Sequence, residues 1–286
     1  MKNKTKNTLY ILITCSLDES RHDCLEKCIS SINRFFPKEN ISNDFFVFDN
    51  ASTVKKTNSL IKNTFSHVYR SEKNIGLWSA VNWVLENYEE KMKRRYSNVF
   101  LVESDLVFYN FESFVKIENI FEQEKFKNIG SCRTKEFSVK DKHLFDKYLK
   151  TKDSVFRSLC TQRNLITNKP IYYNETNVEG IYVTNFNSVI CSMSRIQFIK
   201  EIFKKLESKD DFTELEYFKE AQMISNETFL LDGGCHFEAS MDVSNASNIF
   251  KNITGSHSKK EDLEKIGYHG TRRNNKIIKD FIVKKV

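Results

Sequence analysis

Proline is almost missing from this chain, with 2 in 286 residues, and glycine is sparse at 8. That excludes collagen-like, Pro-rich and Gly/Ser-rich low-complexity architectures. The 7 cysteines, at positions 15, 24, 28, 132, 160, 191 and 235, are odd in number and form no CxxC pair. A disulfide framework and a zinc knuckle are therefore not expected, and a reducing, cytoplasmic location is. Long apolar runs are lacking too: the first, "LYILITC", ends after seven residues, too short for a signal-peptide core or a membrane span. The Asn-x-Ser/Thr sequons are accordingly expected to stay unmodified. The net charge of +7 is spread along the chain, with mild concentrations at both ends. No basic module with interleaved aromatics stands out, so nucleic acid is not an expected partner.

What remains is the composition of a soluble core-forming protein, with 40% hydrophobic and 29% charged residues and 24 phenylalanines. The first 110 residues alternate clearly. "TLYILITCS" is a continuous β-branched run, as in a strand covered on both faces. An amphipathic helix follows, with Leu25, Cys28, Ile29, Ile32, Phe35 and Phe36 at helical spacing, and Pro37 closes it. Next come the buried strand "DFFVFDN", a polar helix over about 54–64 and a short strand at "HVYR". A helix then carries the stripe Leu77, Trp78, Val81, Val84, Leu85 and Tyr88, and a third apolar run, "NVFLVESD", ends in acid. This alternation predicts α/β architecture, with a mostly parallel sheet, crossover helices and one continuous domain.

The second half is less regular. The pattern predicts a helix near 111–124, a strand at "NIGSC", helical pieces over 140–163 and strands within "GIYVTNFNSVICSMS". Helices near 195–206 and from 213, and a strand "TFLLDGG", complete it. No linker or repeat separates the halves. The division expected is a nucleotide-binding half over about 8–110, an acceptor and catalytic half over about 111–270, and a basic tail over 271–286.

In open parallel sheets, ligands bind beyond the carboxyl ends of the strands. Cys15, Ser16, Asp49 and the triplet Glu103-Ser104-Asp105 all fall at that edge. A carboxylate at Asp49 can accept hydrogen bonds from ribose hydroxyls or a base N–H. The same stretch also reads as a strand exit in which Ser52 or Thr53 caps the next helix. Two carboxylates at i, i+2 in a turn suit a hard divalent cation, although acids there also serve as solvated turn residues.

Taken together and in order, "LYILITCS", "FVFDNAST", "EKNIGLWSAVNWVL" and "VFLVESD" resemble the GT-A glycosyltransferases, especially the family-2 group, over about the first 110 residues. The resemblance implies that Asp49 holds the nucleoside, that Asn74 and Gly76 line the nucleotide-sugar loop with Lys73 set for phosphate, and that Asp105 binds Mn²⁺ or Mg²⁺. Glu103 stands where the family usually has Asp. Glu214, in "FTELEYFKEAQ", is the implied catalytic base, sharing a helical stripe with Tyr217, Phe218 and Ala221, and Asp232 is its rival. Thr213 with Glu216, or Asp211 with Glu214, reads equally as a capping box. "GYHGTRR" resembles a C-terminal loop bringing His269 to the metal and Arg272 and Arg273 to the diphosphate, with His257 and His236 as further choices. The implied activity is metal-dependent, inverting transfer from a nucleoside-diphosphate sugar to a glycan or lipid-linked acceptor. Two other readings stand beside it. A degenerate module would bind a glycan or a partner. A sugar nucleotidyltransferase would need a Gly-rich basic loop after the first strand, where "CSLDESRHD" stands. The segment "NKIIKDFIVKK" alternates apolar residues with Lys, as a peripheral membrane contact or a short packed helix would.

Overall fold

The computed structural model describes residues 8–134, 169, 172–185, 192–209, 212, 214–231, 235–237 and 276–286. Strand β1 (Thr8–Thr14) is buried along its whole length. Its side chains alternate between two cores. Tyr10 and Leu12 join Phe45, Val47, Phe100 and Val102 on one face, whereas Leu9, Ile11 and Ile13 join Phe46, Phe48 and Val99 on the other. A strand covered on both sides must be apolar at every position, and this is why the run lacks alternation. The first face is sealed by α1 (Glu19–Phe35), α2 (Lys38–Asp44), α3 (Lys55–Thr64) and α5 (Glu112–Phe121). The second is sealed by α4 (Leu77–Met92), α6 (Ile196–Glu207) and α7 (Glu214–Ile224).

Tyr10 stacks on Phe45 at 4.9 Å and meets the edge of Phe36 at 5.1 Å. Such pairs add about 0.5–1.5 kcal/mol each beyond area burial. Asp18 caps α1 by accepting from the Arg21 N–H at 2.9 Å. The helix stops at Phe35 as expected, but Pro37 also starts a helix that periodicity did not reveal, α2. Proline suits that place because its missing N–H would be unpaired in a first turn.

A ten-stranded sheet runs through both halves of the chain in the order β12-β3-β2-β1-β4-β9-β6-β10-β8-β7. Its first block is parallel: β3 (Val68–Ser71), β2 (Phe45–Asp49), β1 and β4 (Asn98–Glu103). The second block interleaves β6 (Ser131–Thr134), β7 (Tyr173–Glu175), β8 (Ile181–Thr184), β9 (Ser192–Arg195) and β10 (Thr228–Leu231). Relative to β1, only β8, β9 and β12 (Val283–Lys285) run backwards, so the sheet is mixed but mostly of one direction. A separate ribbon pairs β5 (Leu106–Phe108) with β11 (Cys235–Phe237). The α/β class expected from the sequence is thus the class observed. The pieces expected over 140–163 lie outside the described residues.

The C-terminal segment is a strand rather than a short helix. Residues 283–285 pair antiparallel with β3, and Ile277 is buried against the second core. Ser79 Oγ secures the approach, donating to the Lys276 carbonyl at 3.1 Å and accepting from the Ile278 N–H at 2.9 Å. Among the described residues, no helix is long and apolar enough to cross a membrane.

Candidate active site

The register of the parallel block brings the motif residues to one rim. Thr14 at the end of β1 pairs with Asp49, Asp49 pairs with Arg70 of β3, and Ile13 pairs with Glu103 at the end of β4. Adjacent residues on parallel strands point to the same side, so Thr14, Asp49 and Arg70 share one face, whereas Glu103, in register with Ile13, points to the other; the four carboxyl ends share a rim, not one row of side chains. The strand spacing puts about 14 Å between the Arg70 end of the rim and the Glu103 end.

At the first end the polar groups hold one another. Asp49 has no exposed surface. One of its oxygens accepts from the Ser52 N–H at 2.9 Å, and the other forms an ion pair with Arg70 Nη1. Arg70 Nη2 also donates to the Ser52 carbonyl at 2.6 Å. The turn between Asp49 and Ser52 is tight enough to hold Ala51 at φ 62°, a left-handed conformation that costs a residue with a Cβ about 1–2 kcal/mol. Ser52 Oγ accepts from the Ser16 N–H at 2.8 Å, and Thr53 Oγ1 donates to the Leu17 carbonyl at 3.1 Å. Neither hydroxyl caps α3, whose N-cap is Val54, with no side-chain bond. The helix-cap alternative for this stretch is therefore not what the structure shows. Ser52 and Thr53 tie the β2 exit to the β1 exit.

The loop before α4 is built in the same way. Asn50 Oδ1 accepts from the Ile75 N–H at 2.9 Å and from Ser71 Oγ at 3.3 Å, while its Nδ2 donates to Asn74 Oδ1 at 2.9 Å. Asn74 Oδ1 takes the Gly76 N–H at 2.9 Å, and Asn74 Nδ2 reaches Cys15 Sγ at 3.4 Å. Gly76 opens α4 at φ 79°, a conformation that admits glycine without strain. Lys73 is exposed on this loop. Burial pushes the Cys15 thiol up to about 11, with Arg21 and Arg70 pulling it down and Asp49 pushing it further up. Cys15 is thus a neutral thiol at pH 7, a wall of the site and not a nucleophile.

At the other end, Glu103, Ser104 and Asp105 form the turn between β4 and β5, all partly buried. Cys28 Sγ beneath them donates to the Glu103 carbonyl at 3.8 Å, and burial, with Asp105 next, pushes the Cys28 thiol well up. Two carboxylates in one turn offer a hard cation part of its oxygen shell. Among the described residues no cluster of three or more His, Cys, Asp or Glu could hold a metal alone. A cation here would take its other ligands from phosphate and water, as Mg²⁺ ordinarily does.

The second half contributes less that can be placed. Glu214 is the first residue of α7, one turn before Tyr217, which is buried and stacks on Trp78 at 4.9 Å. Trp78 lies in the first turn of α4, so the start of α7 is held near the Asn74–Gly76 loop. Glu216 pairs with Lys209 at 3.5 Å, consistent with its expected place on the wet side. His236 lies on β11 opposite Val107. Asp211, Thr213, Asp232, His257, His269, Arg272 and Arg273 lie outside the described residues. Arg70 and Asn50 were assigned nothing from the sequence, and Ser52 only a helix cap. The signal for Arg70 was the parallel pairing of "DFFVFDN" with "HVYR", which sets it beside Asp49.

No family model matches the chain, and no curated protein matches it. Solved structures do. The chain is similar to TarS 1-349 of S. aureus, at 14% identity and a TM-score of 0.47, covering 91% of this chain and 69% of that one. It is similar to glucosyl-3-phosphoglycerate synthase of Mycobacterium tuberculosis, solved with Mg²⁺ and UDP, at 10% identity and a TM-score of 0.45, over 82% and 72% of the two chains. It is also similar to 4-diphosphocytidyl-2C-methyl-D-erythritol synthase of Anaerococcus prevotii, at 11% identity and a TM-score of 0.46, over 92% and 98%. None of these three reaches a TM-score of 0.5, and by themselves they say nothing of donor, acceptor or metal. The strand order gives the chain, independently of these scores, the α/β fold with a mostly parallel sheet that its alternation of strands and helices predicts.

Proposed function

We propose that this chain is a glycosyltransferase that moves a sugar from a nucleoside-diphosphate donor to a hydroxyl of a glycan or lipid-linked saccharide, with inversion. The observation that carries this is the convergence of Asp49, Asn74 and the Glu103–Asp105 turn at one rim of the parallel block. Nucleoside would lie toward β3 and diphosphate toward the acidic turn, with Lys73 on the loop between them. Glu103 and Asp105 are the residues that would hold Mg²⁺ or Mn²⁺. When bound, such an ion supplies Lewis-acid neutralisation of the leaving diphosphate.

Within the protein, Asn74 and the Asn50 network fix the loop that contacts the donor, so little reorganisation is needed when the donor binds. Glu214 is the proposed general base, taking the proton of the acceptor hydroxyl as it attacks the anomeric carbon, and Asp232 is its rival. His269, Arg272 and Arg273 are proposed for the metal and the diphosphate. A single displacement with one base inverts the anomeric centre. The GT-A domain is proposed to span the chain, and a reducing cytoplasmic setting, with peripheral membrane contact at the C-terminal segment, accompanies this reading. The exposed Ile278 and Ile282 side chains support that contact.

A second reading is a donor-binding module without turnover, favoured by Glu103 at the first acid position and by the engagement of the Asp49 carboxylate within the protein. The test is hydrolysis or transfer from a panel of nucleotide sugars with Mn²⁺. An active protein that loses about 10²–10³-fold in kcat in Asp105→Ala, with unchanged Tm, supports the enzyme. Nucleotide binding without any turnover supports the module. Failure to bind any nucleotide overturns both.

A further inference from the structure

We propose that Arg70 reads the donor's nucleobase, that Asp49 is the positioning residue that aims it, and that the site selects a base edge with two adjacent hydrogen-bond acceptors over uracil. Cytosine has such an edge in O2 and N3, and guanine in O6 and N7. The inference rests on the donor-binding reading above and adds the class of nucleotide.

The first support is accessibility. Asp49 has no exposed surface, so its carboxylate cannot touch a ligand while the turn stands. It is occupied by the Ser52 N–H and by Arg70. The Arg70 side chain, by contrast, keeps 34% of its surface exposed. A guanidinium has five N–H groups and no acceptor. One N–H goes to Asp49 and one to the Ser52 carbonyl, which leaves three for a ligand.

The second support is position. Arg70 stands at the β3 end of the rim, three strands from the acidic turn, at about 14 Å by strand spacing. That is the end away from the diphosphate. The buried negative charge of Asp49 beside it also disfavours a polyanion there.

The third is the fit of a guanidinium, which only donates, to a base edge that only accepts. Uracil presents an imide N–H between its two carbonyls. Against Arg70 that N–H meets another donor. Two neighbouring acceptors fit the fork bidentately, and a bidentate pair discriminates between bases by at least about fivefold.

Calorimetric titration of the full chain with CDP, GDP, UDP and inorganic pyrophosphate, all with Mg²⁺, tests this. The expected result is that CDP or GDP binds at least about fivefold tighter than UDP. Arg70→Lys, which keeps the charge at a partly exposed position, should bring the three nucleotides within about twofold and leave pyrophosphate unchanged, because Lys makes a point contact in place of a fork. Asp49→Asn should do the same through loss of the latch, with Tm recorded to show that it folds. Tightest binding of UDP overturns the proposal, as does an equal loss for all nucleotides and pyrophosphate in Arg70→Lys, which would put Arg70 on phosphate. If no nucleotide binds the wild-type chain, the donor-binding reading itself fails and this inference with it.

Discussion

The two blocks of the sheet differ in how each is held. In the first, strands of four to seven residues pair in parallel, and their side chains meet in an aromatic cluster of Tyr10, Phe36, Phe45, Phe100, Phe108 and Phe114. In the second, strands of three or four residues are drawn from distant parts of the chain. There a single cation does much of the joining: Arg195 donates to the carbonyls of Ile129 at 2.9 Å and Phe121 at 2.7 Å, while lying over the Phe121 ring. The first block is held by packing and carries the candidate site at its rim. The second depends on particular long-range contacts, so single changes should act on it through close approach of backbone and ring.

The largest effect expected breaks the first block. Phe45→Ala removes a fully buried ring that stacks on Tyr10 and should cost about 3–5 kcal/mol, read by urea unfolding. The second block should respond instead to added volume. At Gly130 a methyl group would overlap the Phe198 ring, so Gly130→Ala should cost about 1–3 kcal/mol, and Gly130→Ala with Phe198→Leu should recover part of it. Comparable or smaller is the removal of residues 281–286, which uncovers the β3 edge. A loss of about 1–3 kcal/mol, with amide exchange rising in β3 and not in β10, would keep the blocks distinct.

The smallest change is a matter of pH. Burial, then the charges of Lys285 and Arg94, hold the His67 imidazole below its usual range. The folded state resists protonation there, so stability is full above about pH 6.5 and falls as pH drops below it. His67→Gln should flatten the Tm profile between pH 7.5 and 5.

The first block was legible because its rules are local. "TLYILIT" and "FFVFD" are apolar at every position, and helical stripes and Pro37 punctuate the stretches between them. From that alternation Asp49, Asn74 and Glu103 could be set at one edge. Their partnerships could not be read. That Asp49 is spent on Arg70 follows from the β2–β3 register, and the left-handed Ala51 from the turn it closes, neither of which leaves a periodic trace. The short strands β5, β7 and β11 have three residues each, too few for a pattern. For α7, the stripe of Tyr217 and Ala221 was readable and both are buried, whereas its packing on Trp78 needed the fold.

The strand at 283–285 gives the molecule a late-arriving piece. Lys284 meets Glu72 across 212 residues of sequence, so on the ribosome β3 is made long before the stretch that covers it. During that interval the nascent sheet presents an unpaired flank beside Arg70, the kind of surface on which neighbouring chains pair with one another. Maturation of the rim and protection from aggregation thus coincide in one closing event, after residues 283–285 have been made.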